Sequence, residues 1–552
     1  MLTPLPQFEL LLAMRSKEDL ARDYIRIYVD NIDKSNRLED ALKHVEELDD
    51  ENQKLKDHIA KLEKRSKKPR LKEKRKSNNK ESRGKVCKDA KTKRGKSTEC
   101  KRKENLKIHE TKVLQPEVIP ANAVFKTYKD YTVQDIKISP FNTLYRRAVY
   151  SLPNGELISA KLPEGIKNIH YGVDLRAYIV NEYYTKRVTQ DLICEHLNDL
   201  GVIISKAEIS NILSTKNKVF EEDYNDVIHD AVKYSRYIQV DDTGSLHNGN
   251  NGYCTVVANE AFAWYKSTDS KSKINFLEIL SSGIKQYVIN SDALDYLKHY
   301  KIELPDSEGM IFFSKDELLS YLENLNIKSK YKLRIIEEAA LAGAIGSFKD
   351  LSKLFIMSDN AKQFKVFRHM QCYVHIERNI KKYKHDYHGF ADEQSHVLDI
   401  IWDVYEKIKQ YKATPKFLYK KQAFEKFEEL LSLDIQYEHL RKQVEFIAAN
   451  KYEFLMPLYD PVFPLHNNLC ENDVRQYVMK RSISGETKSE TGRKARDIFL
   501  SIKITCRKCN VNFMEYLKSR MENNNAIPKL AHIVKDKLAE LGIHDKRMTF
   551  AL

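Results

Sequence analysis

The sequence predicts an α/β protein. Short apolar, β-branched runs at Tyr237–Val240, Tyr253–Asn259, Ala261–Lys266 and Leu354–Met357 have the length and composition of strands. Between and after them, residues 287–345 contain helical pieces (Asp292–Tyr300, Lys315–Leu325, Leu333–Ile345), and 378–460 carries helical periodicity almost throughout. Two of the runs lead straight into acids, at Asp241-Asp242 and at Ser358-Asp359. Strands that alternate with helical stretches favour one sheet covered by helices.

In chain order, residues 1–32 are expected to form an amphipathic helical segment. A coiled coil follows over 33–66. Leu38, Val45, Asn52 and Ile59 fall at one heptad position, and Ala41, Leu48, Leu55 and Leu62 at the other. Asn52 is the polar residue that would fix register and a two-stranded state. A homodimer or higher oligomer paired through this coil is therefore expected.

Residues 67–115 read as a basic linker, disordered in the free protein because it has too few apolar residues to offset its ordering entropy. Lys64 to Lys107 holds 21 Lys or Arg against five Asp or Glu, while the whole 552-residue chain has a formal net charge of +15. That one segment carries the whole excess, which suits salt-dependent contact with a nucleic-acid backbone. Its Cys87, Cys100 and His109 lack zinc-finger spacing. A basic segment placed after the coil, with few apolar positions, also argues against a leucine-zipper DNA reader.

Residues 116–232 are expected to form a helical DNA-binding region. Within it, Val188–Leu213 reads as two helices flanking a turn at Gly201. Thr189 and Ser205 are the N-caps, and Ser205 with Glu208 makes a capping box. This suits a helix-turn-helix whose second helix, beginning at Ser205 and Lys206, meets DNA. A helical hairpin that merely packs is the alternative.

A catalytic core is expected over 233–377, with an insertion at 287–345. A second, helical insertion spans 378–460, the core resumes over 461–520, and 521–552 form a C-terminal tail. The turn Asn248-Gly-Asn-Asn-Gly252 joins the first two strands as a hairpin. Alternation from Ile238 puts Gln239 and Asp241 on one face of the first strand and Val240 on the other. Asp241 is the candidate metal ligand and Asp242 a candidate assisting neighbour, and alternation alone does not decide between them. Asp359 ends a second strand, and Glu471 opens a helical stretch that can bring a third carboxylate to the same edge. Such a set suits a hard divalent cation such as Mg²⁺.

Val240-Asp-Asp-Thr-Gly244, Ser358-Asp-Asn-Ala-Lys-Gln-Phe364, Cys372-Tyr-Val-His-Ile-Glu-Arg378 and Asn467-Asn-Leu-Cys-Glu471 resemble, in order, motifs of DDE transposases of the insertion sequence 66 family. The resemblance spans roughly residues 160–520. It implies an RNase H-like catalytic core with helical insertions, and cutting and joining of DNA with Mg²⁺ or Mn²⁺. By motif position it implies Asp241, Asp359 and Glu471 as the catalytic and metal-binding triad, with double-stranded DNA, both transposon ends and target, as partner. The family's third motif commonly has Asp where His466 stands here, and its cysteine-pair zinc finger is not visible.

Around the triad, Arg378 is placed to reach a phosphate. His375 pairs with Cys372 as core packing rather than as a metal site. Arg475 falls on the helix face of Glu471. Lys480, Arg481, Lys488, Arg493 and Lys494 follow as candidate DNA contacts. Cys506 and Cys509 form a lone pair without further ligands.

The eight scattered cysteines suit a reducing compartment. No leader and no apolar run long enough for a membrane span is evident. A cytoplasmic, nucleoid-associated protein is the expectation. The alternative reading is a DNA-binding relative without catalysis, which would use the same coil, linker and helical region. Only the triad separates the two.

Overall fold

The computed structural model describes residues 107–545, apart from 121–122, 164–169, 215–217, 285, 306 and 383–387. The expected N-terminal helix, the coiled coil and most of the basic linker lie outside the described residues. The chain divides into two units, Met1–Gln134 and Asp135–Leu552. In the first, the described residues form no helix or strand.

The second unit is α/β, built on a five-stranded mixed sheet. Its strands are β3 (Tyr237–His247), β4 (Asn250–Ala258), β5 (Ala263–Thr268), β8 (Phe355–Ser358) and β9 (Arg368–Gln371), in the order β5-β4-β3-β8-β9. The first three are antiparallel, whereas β3, β8 and β9 run parallel. Asn248 and Gly249 link β3 to β4 with φ of 46° and 78°, both in the left-handed region that a two-residue hairpin loop requires.

A small hairpin, β1 (Val149–Ser151) with β2 (Leu157–Ser159), precedes the sheet, and all six of its residues are exposed. Residues 116–232 depart from the expected helical region in their first part. Among their described residues the first helix is α1 (Val173–Tyr184), and those before it form only the β1–β2 hairpin and irregular chain. Pro116, Pro120 and Pro140 withdraw donors there, and the apolar residues come in no 3.6-residue rhythm.

The helical hairpin follows as α2 (Gln190–Asp199) and α3 (Lys206–Ser214). Thr189 Oγ1 accepts from the Leu192 amide at 3.4 Å and Ser205 Oγ from the Glu208 amide at 3.2 Å. Gly201, at φ 85°, makes the turn. The long helix α4 (Lys218–Tyr234) then leads into β3.

After β5 come α5 (Lys273–Leu280), the paired short strands β6 (Tyr287–Ile289) and β7 (Met310–Phe312), α6 (Ser291–His299), α7 (Lys315–Asn324) and α8 (Lys330–Gly346). Beyond β9 lie α9 (Tyr373–Lys381), α10 (His388–Ala413), α11 (Phe417–Leu431), α12 (Glu438–Ala449) and α13 (Lys451–Leu455). The chain closes with α14 (Asn468–Ser484), α15 (Glu490–Lys508), α16 (Phe513–Glu522) and α17 (Leu530–Glu540). Helix α14 lies across β3 and β4, and α15 against β5.

Polar bonds fix the registration of these helices on the sheet. Buried Asp497 of α15 accepts from the Ser267 amide and hydroxyl, each at 2.7 Å. Tyr477 of α14 shares hydrogen bonds with Ser245 of β3 and Ser267 of β5. Asp497, Tyr477, Ser245 and Ser267 thus satisfy one another where α14 and α15 cross the sheet.

An acidic sheet edge as candidate active site

The three predicted acids do not all sit where strand ends were expected. Asp359 does, directly after β8. Asp241 lies inside β3, which runs on to His247. The reason is the unequal length of its neighbours. β8 pairs with β3 only at Tyr237–Gln239, and from Val240 onward β4 is the one strand beside β3, with a single bridge from His247 to Thr487 at its far end. Asp241 therefore stands just past the place where the sheet opens on one side. Glu471 is in the first turn of α14, and Asn467 at that helix start donates from Nδ2 to the Val240 carbonyl at 2.8 Å. Asn467 N–H in turn donates to Cys372 Sγ at 3.2 Å, which explains why Cys372 is buried at the edge.

Electrostatics shows that the acids share one region. The Asp241 carboxyl is pushed up to about 7, first by burial and then by the negative charge of Asp359, Asp242 and Glu471. A hydrogen bond from the Asp242 amide, 2.8 Å, opposes this. Asp242 accepts from Gln363 at 2.8 Å and faces Lys271 at 3.5 Å. Asp359 Oδ1 accepts from the Ala361 amide at 3.0 Å. Glu471 is gripped by Arg378 through two bonds of 3.1 and 3.3 Å, and His375 Nε2 stands 3.8 Å from it. Burial holds the His375 imidazole below its ordinary value despite Glu471 and Asp359 nearby, so it is neutral at physiological pH.

The acids present oxygen donors suited to a hard cation. Asp241 and Asp359 each use one carboxylate oxygen in a hydrogen bond to backbone and leave the other without one. A carboxyl raised to about 7 by burial, with neighbouring acids adding to the shift, is also one that a cation would relieve. As they stand, no three His, Cys, Asp or Glu side chains among the described residues form a set able to hold an ion. Glu471 is engaged by Arg378 instead.

The predicted basic contacts divide sharply. Lys480 is a correction. It is fully buried, donates to the Tyr183 carbonyl at 2.7 Å and lies over that ring. Burial, with Arg496, Lys503 and Arg187 nearby, lowers its pKa to about 6, so it is no DNA contact. Lys206 pairs with Asp191, Lys488 with Glu486, Lys494 with Glu221, and Arg493 with Asp269 and Glu490. The exposed lysines' pairs are worth about 0–1 kcal/mol, so a phosphate can replace the acid at little cost, whereas Arg493 is largely buried. Arg481 lies beside Gly244 of β3, where an added Cβ would stand 3.8 Å from its Nη1. Arg475 turns to Asn472 at 2.9 Å rather than to Glu471, and Ser205 is spent as a helix cap.

Sequence reasoning missed Gln363 and Lys271, which hold Asp242, and the pair His369–Glu453 behind Asp359. Gln363 was within reach, since it lies in the same motif as Asp359 and four residues beyond it. Glu453 was not, because nothing local marks it. Burial alone would raise the Glu453 carboxyl, but hydrogen bonds from His369 and Gln371 hold it below its ordinary value.

Fold and site together define an α/β protein with an acidic cluster where a mixed sheet opens. A family model described as the Transposase IS66 family matches residues 349–495, a span that holds both Asp359 and Glu471. The chain is also 33% identical over 320 residues to the uncharacterized protein y4jO of Sinorhizobium fredii, an alignment covering 56% of this chain and 100% of the relative. The chain belongs to the IS66 transposase family.

Proposed function

We propose that the protein cleaves the ends of a transposable DNA element and joins the freed 3′-hydroxyl to target DNA, with Asp241, Asp359 and Glu471 as its catalytic acids. The observation that carries this reading is the shared sheet edge: Asp241 stands just past the point where β8 stops pairing with β3, Asp359 directly follows β8, and the start of the helix bearing Glu471 is tied to the Val240 carbonyl by Asn467. The sheet order supports an RNase H-like core, with antiparallel β5-β4-β3 followed by parallel β8 and β9 and acids on or after the adjacent strands β3 and β8.

Asp241 and Asp359 would hold Mg²⁺ or Mn²⁺, joined by Glu471 once it leaves Arg378. When bound, the ion activates the attacking oxygen and stabilises the phosphoryl oxygens. Arg378 is half exposed and, once released, can take a DNA phosphate in the bidentate geometry it now offers Glu471. Neutral His375 keeps a like charge away from that guanidinium. Gln363 and Lys271 fix Asp242 so that it does not compete with Asp241 for position. Double-stranded DNA would be steered by the exposed bases and the basic linker, and subunits paired through residues 38–62 would hold two ends together.

The test uses the full chain, Mn²⁺ and labelled DNA carrying the element's own ends. Asp241→Asn, Asp359→Asn and Glu471→Gln should each reduce cleavage and joining by more than about 100-fold, since even residues behind a metal ligand cost 10–100-fold. End binding should persist in all three. Unchanged strand transfer in these variants would remove the catalytic assignment and leave a DNA-binding protein.

A further inference from the structure

Behind Asp359 runs a buried chain of hydrogen bonds that starts in the second helical insertion. Glu453 of α13 accepts through Oε2 from His369 Nδ1 and from Gln371 Nε2, each at 2.8 Å. Both donors are on β9, the strand next to β8. The other ring nitrogen of His369 lies 2.7 Å from Ser358 Oγ, and that hydroxyl donates to the Asp359 carbonyl at 2.6 Å. Ser358, His369 and Gln371 are all buried, so none of them is a nucleophile open to substrate.

The geometry of this chain has a consequence for Asp359. The acid sits one residue past the end of a four-residue strand, where the ladder no longer fixes the backbone. Its Oδ1 bond to the Ala361 amide is local and does not anchor it to the rest of the fold. Its backbone carbonyl is held instead by Ser358, and the Ser358 hydroxyl is oriented by His369. The imidazole in turn has its ring plane set by Glu453. Partners of this kind fix ligand orientation in metal sites, and losing one typically costs 10–100-fold in metal affinity or activity.

We propose that His369 and Glu453 are positioning residues for Asp359, so that docking of the second insertion through α13 sets this acid for the divalent cation. The proposal rests on the reading of Asp359 as a metal-binding acid. It makes the insertion part of the site without any of its residues touching the cation.

The test is Mn²⁺ binding to the full chain, followed by the electron paramagnetic resonance signal of free Mn²⁺, with end-DNA binding and thermal melting measured alongside. Glu453→Ala should raise the Mn²⁺ concentration for half-saturation by about 10-fold or more. Glu453→Gln keeps an acceptor oxygen for His369 and should stay within about 3-fold of the natural protein, against that same scale. Val397→Ala trims the core of the same insertion on α10 rather than α13, and should leave half-saturation unchanged. DNA-end binding should be the same in all three. The relay is overturned if Glu453→Ala binds Mn²⁺ normally, or if Val397→Ala weakens binding as much. Asp359→Asn separates the two levels. If it weakens Mn²⁺ binding while Glu453→Ala does not, only the relay falls. If it has no effect, the metal reading falls and takes the relay with it.

Discussion

The two stretches read as insertions meet the sheet in different ways. The first, over 287–345, shares its core with the sheet. Ile335, Ile336, Ala339 and Ala340 of α8 belong to the same apolar cluster as Ile238 and Val256 of the central strands. The second, over 378–460, has an apolar cluster of its own, in which Ile401, Val404, Phe427 and Phe454 pack together. It meets the sheet side mainly through polar contacts, among them Glu453 with His369, Arg236 with Asp460, and Lys412 with the Pro461 and Phe463 carbonyls, and among its described residues Met456 packs against the sheet's apolar cluster. Helix α9 joins the two regions. Tyr373, Ile376 and Ile380 enter the second cluster, while His375 and Arg378 face Glu471. A shared apolar core makes one cooperative body, whereas a polar junction between two cores lets each open separately.

The largest expected effect tests that difference directly. Phe427→Ala removes a fully buried ring and should cost the second cluster about 3–5 kcal/mol. Hydrogen exchange should then rise in α10 to α13 while β3, β4 and β5 stay protected. Ile336→Ala should cost about 2–5 kcal/mol and raise exchange in α8 and in the sheet together. Equal exposure of the sheet by both substitutions would mean that the two insertions do not differ in this way.

A smaller effect, of opposite sign, comes from the acid edge. The folded-state value of Asp241, about 7, lies above the ordinary 3.8, so the fold disfavours its charged form. The penalty is absent below about pH 4, grows as the pH rises, and is complete above about pH 7. At full size it is at most about 4 kcal/mol, at 1.36 kcal/mol per pH unit. Asp241→Asn should therefore raise the melting temperature at pH 8 and leave it nearly unchanged at pH 4. Since Asp241 belongs to the sheet, the gain should protect β3, β4 and α8 together and bypass α10 to α12. A gain independent of pH would show that the charge on Asp241 is not what strains the edge.

How far the sequence revealed this arrangement depended on which signals were local. The caps at Thr189 and Ser205 marked two helix starts that the structure has. The full length of β3 was hidden because Asp241, Asp242 and Gly244 are poor strand formers, kept extended by pairing with β4. The β6–β7 pair was missed since three-residue strands leave no periodic trace. Lys480 was misjudged by its charge. Cys470, Asp473, Tyr477 and Lys480 are the buried residues of α14 and fall on one stripe of that helix, and Asp473 finds Lys508 at 2.6 Å while Lys480 finds Tyr183. Helical spacing from Tyr477 would have warned that Lys480 points inward. The chain from Glu453 to Asp359 joins residues with no shared motif, so only the folded structure brings it out.

The smallest effect on stability concerns the link between α9 and α14, and there binding is the sharper readout. Arg378 is nearly half exposed and Glu471 largely buried, so their pair contributes no more than about 1 kcal/mol. Arg378→Ala should leave melting almost unchanged and free Glu471 from its guanidinium. If Arg378 competes with the cation for that carboxylate, the variant should bind Mn²⁺ more tightly in the absence of DNA. It should also lose its response to DNA, because no guanidinium remains to be drawn from Glu471 to a phosphate. Arg378→Lys tests the geometry, since an ammonium keeps the charge but cannot make two parallel bonds to a carboxylate. Tighter Mn²⁺ binding by the Ala variant, with the Lys variant in between, would identify Arg378 as the group that holds the acid edge closed until DNA arrives. Weaker Mn²⁺ binding by the Ala variant would mean that Arg378 instead holds Glu471 in place for the cation. The contact between α9 and α14 would then join the second insertion to the site as a support rather than as a gate.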